Sequence, residues 1–281
     1  MKEFILINYN LKIDKIYNDT FFINDEKIKI IKYKENLNRI EKLVKITNDL
    51  YYKNVKVNTF ILNKERQFYT KKNNEYIILI KENDIDDYYN LSYLNNFNIL
   101  NDLEPYDILE NWKKEIDDIE EKIIGYNKEY KMVQKTANYY IGLAENAISL
   151  LGEINANNNS IGHKITPYNF NKKELNNPFN FIKINKMYNV SIYIKNKVLS
   201  NRFDYNELDQ IINGIENDID EAALFSYMLY PDYYIDLVKE EINDNKIKKL
   251  IKLIPIYEKI LIYMKENLNK NNKIKLFVWL N

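Results

Sequence analysis

The apolar residues of this 281-residue chain change their spacing once, near residue 100, and do not change back. Before that point, short apolar segments stand between polar turns: Phe4 to Ile7, Phe21 to Ile23, Ile28 to Tyr33, Val57 to Leu62, Phe68 to Thr70 and Tyr76 to Ile80. Segments of this kind read as strands. Asn24-Asp25-Glu26, Asn63-Lys64-Glu65-Arg66 and Lys71-Lys72-Asn73-Asn74 suit tight antiparallel connections between them. One helix interrupts the strands, because Leu37, Ile40, Leu43, Val44, Thr47, Leu50 and Tyr51 recur at three and four and make one apolar stripe for a sheet.

Beyond residue 100 the period is helical. Trp112, Ile116, Ile119, Ile123 and Tyr126 form a stripe that ends near Gly125 to Asn127. A longer stripe follows in Ala137, Tyr140, Ile141, Ala144, Ala147, Ile148 and Leu151, whose small residues permit close packing, with Gly152 suited to a left-handed stop. Residues 153 to 190 lose periodicity, and Asn155 to Ser160, Pro167 and Pro178 read as loops around short apolar pieces such as Phe179 to Ile184. Asp204 with Glu207 has the form of a capping box opening a helix with Tyr205, Leu208, Ile211 and Ile212 on one side. Further helices are expected at about 218 to 229, 232 to 242 and 246 to 268; Pro231 separates the first two, and Pro255 is expected to break or kink the third. The expected class is α+β, with a sheet-rich part over 1–83 and a helical part over 84–281.

Composition removes most common chemistries. The chain has one histidine, His163, and no cysteine, so thiol nucleophiles, disulfides and thiolate zinc sites are excluded. All five glycines lie beyond residue 124, so the front of the chain holds neither a Walker A loop nor a G-x-G-x-x-G turn. Forty-one basic residues balance 41 acidic ones, which argues against nucleic acid or an anionic bilayer as partner. No apolar run approaches the ~18 residues of a spanning helix, and the apolar stretch Phe4 to Ile7 is too short for an export signal, so a soluble cytoplasmic protein is expected. Lysine, asparagine, isoleucine and tyrosine are over-used, as an AT-rich genome would produce, and asparagine is therefore a weak clue.

The order of elements, with Asn63 to Lys81, Trp112 to Gly152, Leu229-Tyr230-Pro231-Asp232-Tyr233-Tyr234 and Val278-Trp279-Leu280, resembles the protein-kinase-like fold of aminoglycoside phosphotransferases and choline kinases. Within that group it is most similar to the spore-coat-associated kinase-like proteins of low-GC Gram-positive bacteria. The resemblance implies a two-lobed body with a small antiparallel-sheet N-lobe carrying one helix and a larger, mainly helical C-lobe. It rests on framework segments rather than catalytic motifs, so it speaks to fold before activity.

In active relatives a strand lysine holds the nucleotide phosphates and pairs with a glutamate on the front-lobe helix. Lys32 and Glu41 fit that order, with hinge backbone from Lys81 to Asn83 as a further nucleotide contact; the alternative is a solvated lysine and a surface carboxylate. The relatives' His-Gly-Asp-x-His-x-x-Asn loop corresponds to Gly162 to Asn169, where Ile165 stands at the aspartate and Asn169 is one place short of the metal-holding asparagine. His163 in that loop reads as a general base or, in the plainer reading, as a loop histidine bonded to backbone. The second metal-holding aspartate would end Phe181-Ile182-Lys183-Ile184-Asn185, where Lys183 or Asn185 replaces it. A lysine repels magnesium and an asparagine lacks the anionic oxygen that a hard cation favours.

The implied protein is a catalytically silent, pseudokinase-like binding or scaffolding protein with a protein partner, no metal and no required cofactor, in a spore-coat setting. The alternatives are a small-molecule phosphotransferase using displaced acids such as Glu174 or Asp204, and a module that senses ATP without magnesium. An acidic cluster at Asp84, Asp86 and Asp87 reads as a solvated linker, the basic strip Lys246, Lys248, Lys249 and Lys252 as a charged helix face, and the 25 tyrosines as core or contact surface.

Overall fold

The first hairpin turns on Asn24 and Asp25, whose φ angles of 47° and 65° lie in the left-handed region that these two residue types tolerate. In this computed structural model, which describes residues 1–34, 36–83, 97, 99, 102–125, 130–157, 162–170, 174–240 and 244–268, the turn joins β1 (Thr20–Ile23) to β2 (Glu26–Tyr33) with Ile23 opposite Glu26. The clusters Asp84, Asp86, Asp87 and Val278-Trp279-Leu280 lie outside the described residues. By internal contacts the chain divides into two compact units, one of Met1–Glu104 with Lys164–Lys183 and one of Pro105–His163 with Ile184–Asn281.

In the first unit, β2 pairs with β5 (Glu75–Lys81), and β3 (Thr59–Ile61) and β4 (Thr70–Lys72) follow one another along the other edge of β5. Every pairing is antiparallel. Strand alternation divides the side chains between two faces. On one, Phe21, Ile28, Ile30, Ile77 and Leu79 pack with Ile5, Tyr9 and Ile13. On the other, Tyr33, Ile78 and Ile80 pack with Ile40 and Val44 of α2 (Leu37–Tyr52), which Asn36 caps by accepting from the Asn38 N–H. A third cluster joins Leu43, Ile46 and Leu50 of α2 to Val57, Ile165 and Phe181.

The segment Phe4 to Ile7, expected as a strand, is helix α1 (Lys2–Tyr9). A short apolar run does not distinguish the two by itself. The deciding contacts are Ile5 and Tyr9, one helical turn apart and both buried on the sheet, with the Tyr9 hydroxyl donating to the Ile77 carbonyl at 2.8 Å.

The second unit is helical: α3 (Ile108–Ile124), α4 (Lys131–Asn157), α5 (Met187–Leu199), α6 (Tyr205–Asn213), α7 (Asp218–Leu229), α8 (Asp232–Glu240) and α9 (Asp244–Asn267). α4 continues through Gly152, so the expected stop there is absent, and α9 runs on through Pro255. α5 was not expected: it starts at the end of the stretch 153 to 190 expected to lack periodicity and fills the gap before the helix that Asp204 opens. Nine of its residues, from Met187 to Val198, are buried on all sides, and a helix so placed shows no apolar stripe. Asp204 caps α6 through the Asn206 N–H, but Glu207 turns to Tyr193 and Lys197 instead of completing a box.

The segment Leu229 to Tyr234 ties this unit together. Tyr230 stacks on Trp112 with centroids 3.9 Å apart and planes 7° apart, and its hydroxyl donates to Glu115 at 2.7 Å. Lys195 is buried; its ammonium donates to the Tyr230 carbonyl at 2.7 Å and to Asp232. Burial pushes the Lys195 ammonium down and the Asp232 carboxyl up from their ordinary values, against their mutual attraction. β6 (His163–Pro167) and β7 (Phe181–Asn185) form a separate two-stranded sheet. No helix among the described residues is long and apolar enough to cross a membrane. The architecture is α+β, with a small antiparallel sheet toward the N-terminus and a larger, mostly helical remainder.

Candidate functional site

A lysine that serves nucleotide phosphates and a helix carboxylate together must leave the strand on the side that carries the helix. On β2 that side is set by Ile31 and Tyr33, which join the α2 cluster, whereas Ile28 and Ile30 join the α1 cluster. Lys32 has the parity of Ile28 and Ile30 and so leaves the sheet on the α1 side. There it pairs with Asp19 at 3.1 Å, with both side chains nearly half exposed. Glu41 is exposed on α2. Lys81 shares the parity of Ile77 and Leu79 and pairs with Glu26. The three nucleotide-site candidates are therefore not brought together.

The α2 side of the sheet is lined with rings. Phe179, from the 3-10 turn Pro178–Asn180, lies 5.6 Å from the Tyr33 ring and 6.0 Å from Phe60, and Phe68, Tyr69 and Tyr76 pack on the same cluster. Lys29 on this side, half-buried and opposite Ile80 and Thr20, forms no ion pair among the described residues. Its neighbour of the same parity, Lys27, pairs with Glu82 at 2.5 Å.

Three asparagines occupy the polar groups of the expected hinge. The Asn83 N–H donates to the Asn58 side-chain oxygen at 2.8 Å, the Asn83 amide donates to the Val57 carbonyl at 2.6 Å, and the Asn83 carbonyl accepts from the Asn176 amide. The Glu82 N–H donates to the Lys27 carbonyl at 2.8 Å. Asn58 and Asn176 are buried, so these bonds are shielded from water.

The loop positions have structural partners as well. Ile165 is buried beside Leu43 and Phe181 in an apolar cluster, where an unpaired carboxylate would be costly. The Asn169 N–H donates to the Asn180 oxygen at 2.9 Å, and its carbonyl accepts from the Asn180 amide at 2.8 Å. Lys183 is half-buried on β7. Glu174 accepts from the Asn177 amide at 2.6 Å.

In the second unit, His163 opens β6 and is half-buried, and Asn185 ends β7 and is buried. Asn185 accepts the Met187 N–H at 2.8 Å and donates to Asp220 at 3.0 Å. Asp220, 1% exposed, is met by Lys186 at 2.9 Å and by the Asn217 amide at 2.9 Å. Gly162, at φ 74°, passes close by; a β-carbon there would lie 3.2 Å from the Asp220 carboxylate and 3.4 Å from the Asn185 amide. The anionic group of this cluster is thus neutralised and hydrogen-bonded from within, and it holds a loop rather than presenting a charge. Among the described residues no group of three or more histidine or acidic side chains is placed to hold a metal.

Sequence reasoning missed Asp220, Lys186 and the hinge asparagines. Asn217 and Asp220 carry a readable N-cap spacing, since the Asp220 N–H donates to the Asn217 side chain at 2.9 Å. The hinge asparagines carry no such signal in a chain rich in asparagine.

The arrangement of elements is that of a protein-kinase-like fold as found in aminoglycoside phosphotransferases. The structure is similar to an aminoglycoside phosphotransferase from Alicyclobacillus acidocaldarius, with a TM-score of 0.69, 7% identity and 96% of each chain covered. It is also similar to the spectinomycin phosphotransferase APH(9)-Ia in complex with ADP and spectinomycin, with a TM-score of 0.60, 10% identity, and 91% of this chain and 96% of that one covered. No protein-family model matches the sequence, and no curated protein matches it.

Proposed function

We propose that this chain is a catalytically silent kinase-fold protein that works by binding a protein partner. The observation that carries the reading is the α2 side of β2, where Ile31 and Tyr33 project level with the helix while Lys32 projects to the other side and is held by Asp19. Phosphoryl transfer consists mostly of positioning and charge neutralisation, so Lys32 turned away from the helix, with Ile165 and Asn185 where the resemblance would put acids, supports this reading. Ile165, Asn169 and Asn185 have packing or hydrogen-bond duties that fit the same reading. A spore-coat setting is suggested by the resemblance alone.

A second reading has its own observation. Lys29 lies on the α2 side near the end of β5 and is not ion-paired, which suits a module that senses ATP without magnesium. The third, a phosphotransferase with displaced acids, draws on the named activity of the similar structures; of its candidates, Asp204 caps α6 and Glu174 holds Asn177.

A thermal-shift titration with ATP, with and without magnesium or manganese, separates the three. No shift is expected. A metal-independent rise abolished by Lys29→Ala supports the sensor, and a metal-dependent rise with ATP turnover supports the enzyme and overturns the silent reading.

A further inference from the structure

α9 turns a face of one sign to solvent. Lys248, Lys249, Lys252 and Lys259 are exposed, and none of the four forms an ion pair among the described residues. At roughly 100° per residue they share an arc of about 140° with Pro255, Ile256 and Ile262, which are also exposed, the two isoleucines at 41% and 39%. Lys248, Lys252 and Lys259 run down the middle of that arc, with Ile256 on one flank and Pro255 and Ile262 on the other.

No acid interrupts the strip. Between Asn245 and Lys265 the only carboxylate is Glu258, which is half-buried and stands beside the Tyr139 hydroxyl instead. Asp244, at the start of the helix, has one carboxylate oxygen shielded from solvent. By helical rise it lies about 12 Å from Lys252 and about 22 Å from Lys259, beyond the ~8 Å over which exposed charges act at physiological salt. α3 is the contrast: exposed Lys113 and Lys114 share one side of that helix with exposed Asp117, Asp118, Glu120 and Glu121. Lys248 and Lys252 are one turn apart and repel each other, a cost that an anionic partner removes.

The apolar residues decide which anion fits. In a helix that lies on a bilayer, charged and apolar residues take opposite sides; here the isoleucines flank the lysine row, so inserting them would draw the lysines into the apolar layer. Duplex nucleic acid supplies phosphates but leaves the isoleucines in water. A protein segment whose carboxylates are bordered by apolar side chains meets both features.

We propose that the exposed face of α9 docks an acidic segment of a partner protein, with carboxylates on Lys248, Lys252 and Lys259 and apolar side chains on Ile256 and Ile262. This rests on the partner-binding reading above and gives it a place, but α9 shares no residue with the nucleotide or loop positions, so the ATP titration and the test below fail separately. A single exposed charge contact is weak, and affinity here comes from several lysines acting together with the apolar flanks.

Fluorescence anisotropy of a fluorescein-labelled helical peptide, with glutamate on one turn after another and leucine beside it, titrated with the full chain, tests this. Saturable binding is expected, weakened several-fold as sodium chloride rises from roughly 50 mM to 300 mM. Reversing two charges together, Lys252→Glu with Lys259→Glu, is expected to weaken binding by about tenfold or more. Lys113→Glu with Lys114→Glu on α3 changes the net charge equally and is expected to leave binding within about twofold. Ile256→Ser is expected to weaken binding by about threefold to tenfold without altering its salt dependence. All these positions are exposed, so the variants' melting temperatures, measured alongside, are expected to stay near the parent's. Absence of peptide binding to the folded parent, an equal loss in the α3 reversal, or tighter binding to phosphatidylserine vesicles or to duplex DNA than to the peptide would overturn the proposal.

Discussion

Asn58 accepts the backbone N–H of Asn83 at 2.8 Å, so this donor of the segment after β5, expected from the resemblance to be the hinge, is already engaged. Asn176 completes the closure by donating its amide to the Asn83 carbonyl. Both side chains are at most 5% exposed, so water cannot replace them. Asn58→Ala therefore leaves a buried N–H unpaired, and a loss of about 1–3 kcal/mol in urea unfolding is expected. The same variant reports on function: a new thermal response to ATP would show that Asn58 withholds the hinge from a nucleotide, whereas no response fits a hinge committed to structure.

The tyrosines of the helical unit make stability fall in alkali. Burial raises the phenols of Tyr139, Tyr140, Tyr227 and Tyr257 above their ordinary value of 10.0, with the neighbouring Glu258, Tyr234, Asp220 and Asp232 adding to it respectively. The unfolded chain then gives up these protons first, so above pH 10 the native state holds more protons than the unfolded one. A raised native pKa contributes stability that is intact below the unfolded value and is lost as pH climbs through the native one. Urea midpoints are expected to hold up to about pH 10 and to drop steeply beyond it, by up to ~1.4 kcal/mol per pH unit for each such tyrosine. Absorbance at the phenolate band checks the cause: a fraction of the 25 tyrosines should ionise only as the chain unfolds.

Lys32→Ala separates a surface pair from a phosphate anchor. An exposed pair such as Lys32 with Asp19 is worth ~0–1 kcal/mol, and the variant is expected to unfold within about 0.5 kcal/mol of the parent. It is also expected to leave any ATP response unchanged. A response lost with Lys32 but kept in Lys29→Ala would contradict the face assignment of β2.

Most elements were legible because their periodicity is one-sided. The stripe from Leu37 to Tyr51 became α2, the stripe beginning at Trp112 became α3, and Asn24-Asp25 became a two-residue hairpin turn. Two helices escaped the pattern for different reasons. α5 shows no stripe because nearly every position is covered, and α1 is too short for its two buried residues to declare a period. The site was obscured by symmetry. Period-two counting already places Lys32 with Ile28 and Ile30, but both faces of β2 are apolar, so which of them would receive α2 could not be read from the strand alone.

Scarce glycine made turns hard to see. Among the described residues, nine with a β-carbon adopt positive φ, and all but Arg66 are asparagine or aspartate, the types that bear this conformation best. Arg66, at φ 60°, closes a loop whose frame is Asn63, the acceptor for the N–H groups of Glu65 at 2.9 Å and Gln67 at 2.8 Å. Arg66→Gly removes the left-handed strain at little further cost to the frame and is expected to stabilise by about 0.5–1 kcal/mol, read as a higher urea midpoint. Asn24→Gly, at a residue suited to its φ of 47°, should change the midpoint much less.

Asn185→Asp tests whether a metal site is latent in the fold. The native amide donates to Asp220 at 3.0 Å, and Lys186, at 2.9 Å from the same carboxylate, is the cation already committed there. A second carboxylate replaces that donor with a like charge at hydrogen-bond distance, so the variant is expected to lose at least about 1–3 kcal/mol near neutral pH. The repulsion raises the folded-state pKa of one carboxyl of the pair. Stability from that raised value is present below the ordinary carboxyl range and lost as pH rises through it, so the deficit against the parent should shrink on acidification. Millimolar magnesium or manganese is expected to leave the variant's melting temperature unchanged, because a hard cation needs more oxygen ligands than two carboxylates beside an ammonium supply. A melting temperature restored by the metal would instead show that these elements still hold the geometry of a divalent site, and the phosphotransferase reading would then replace the silent one.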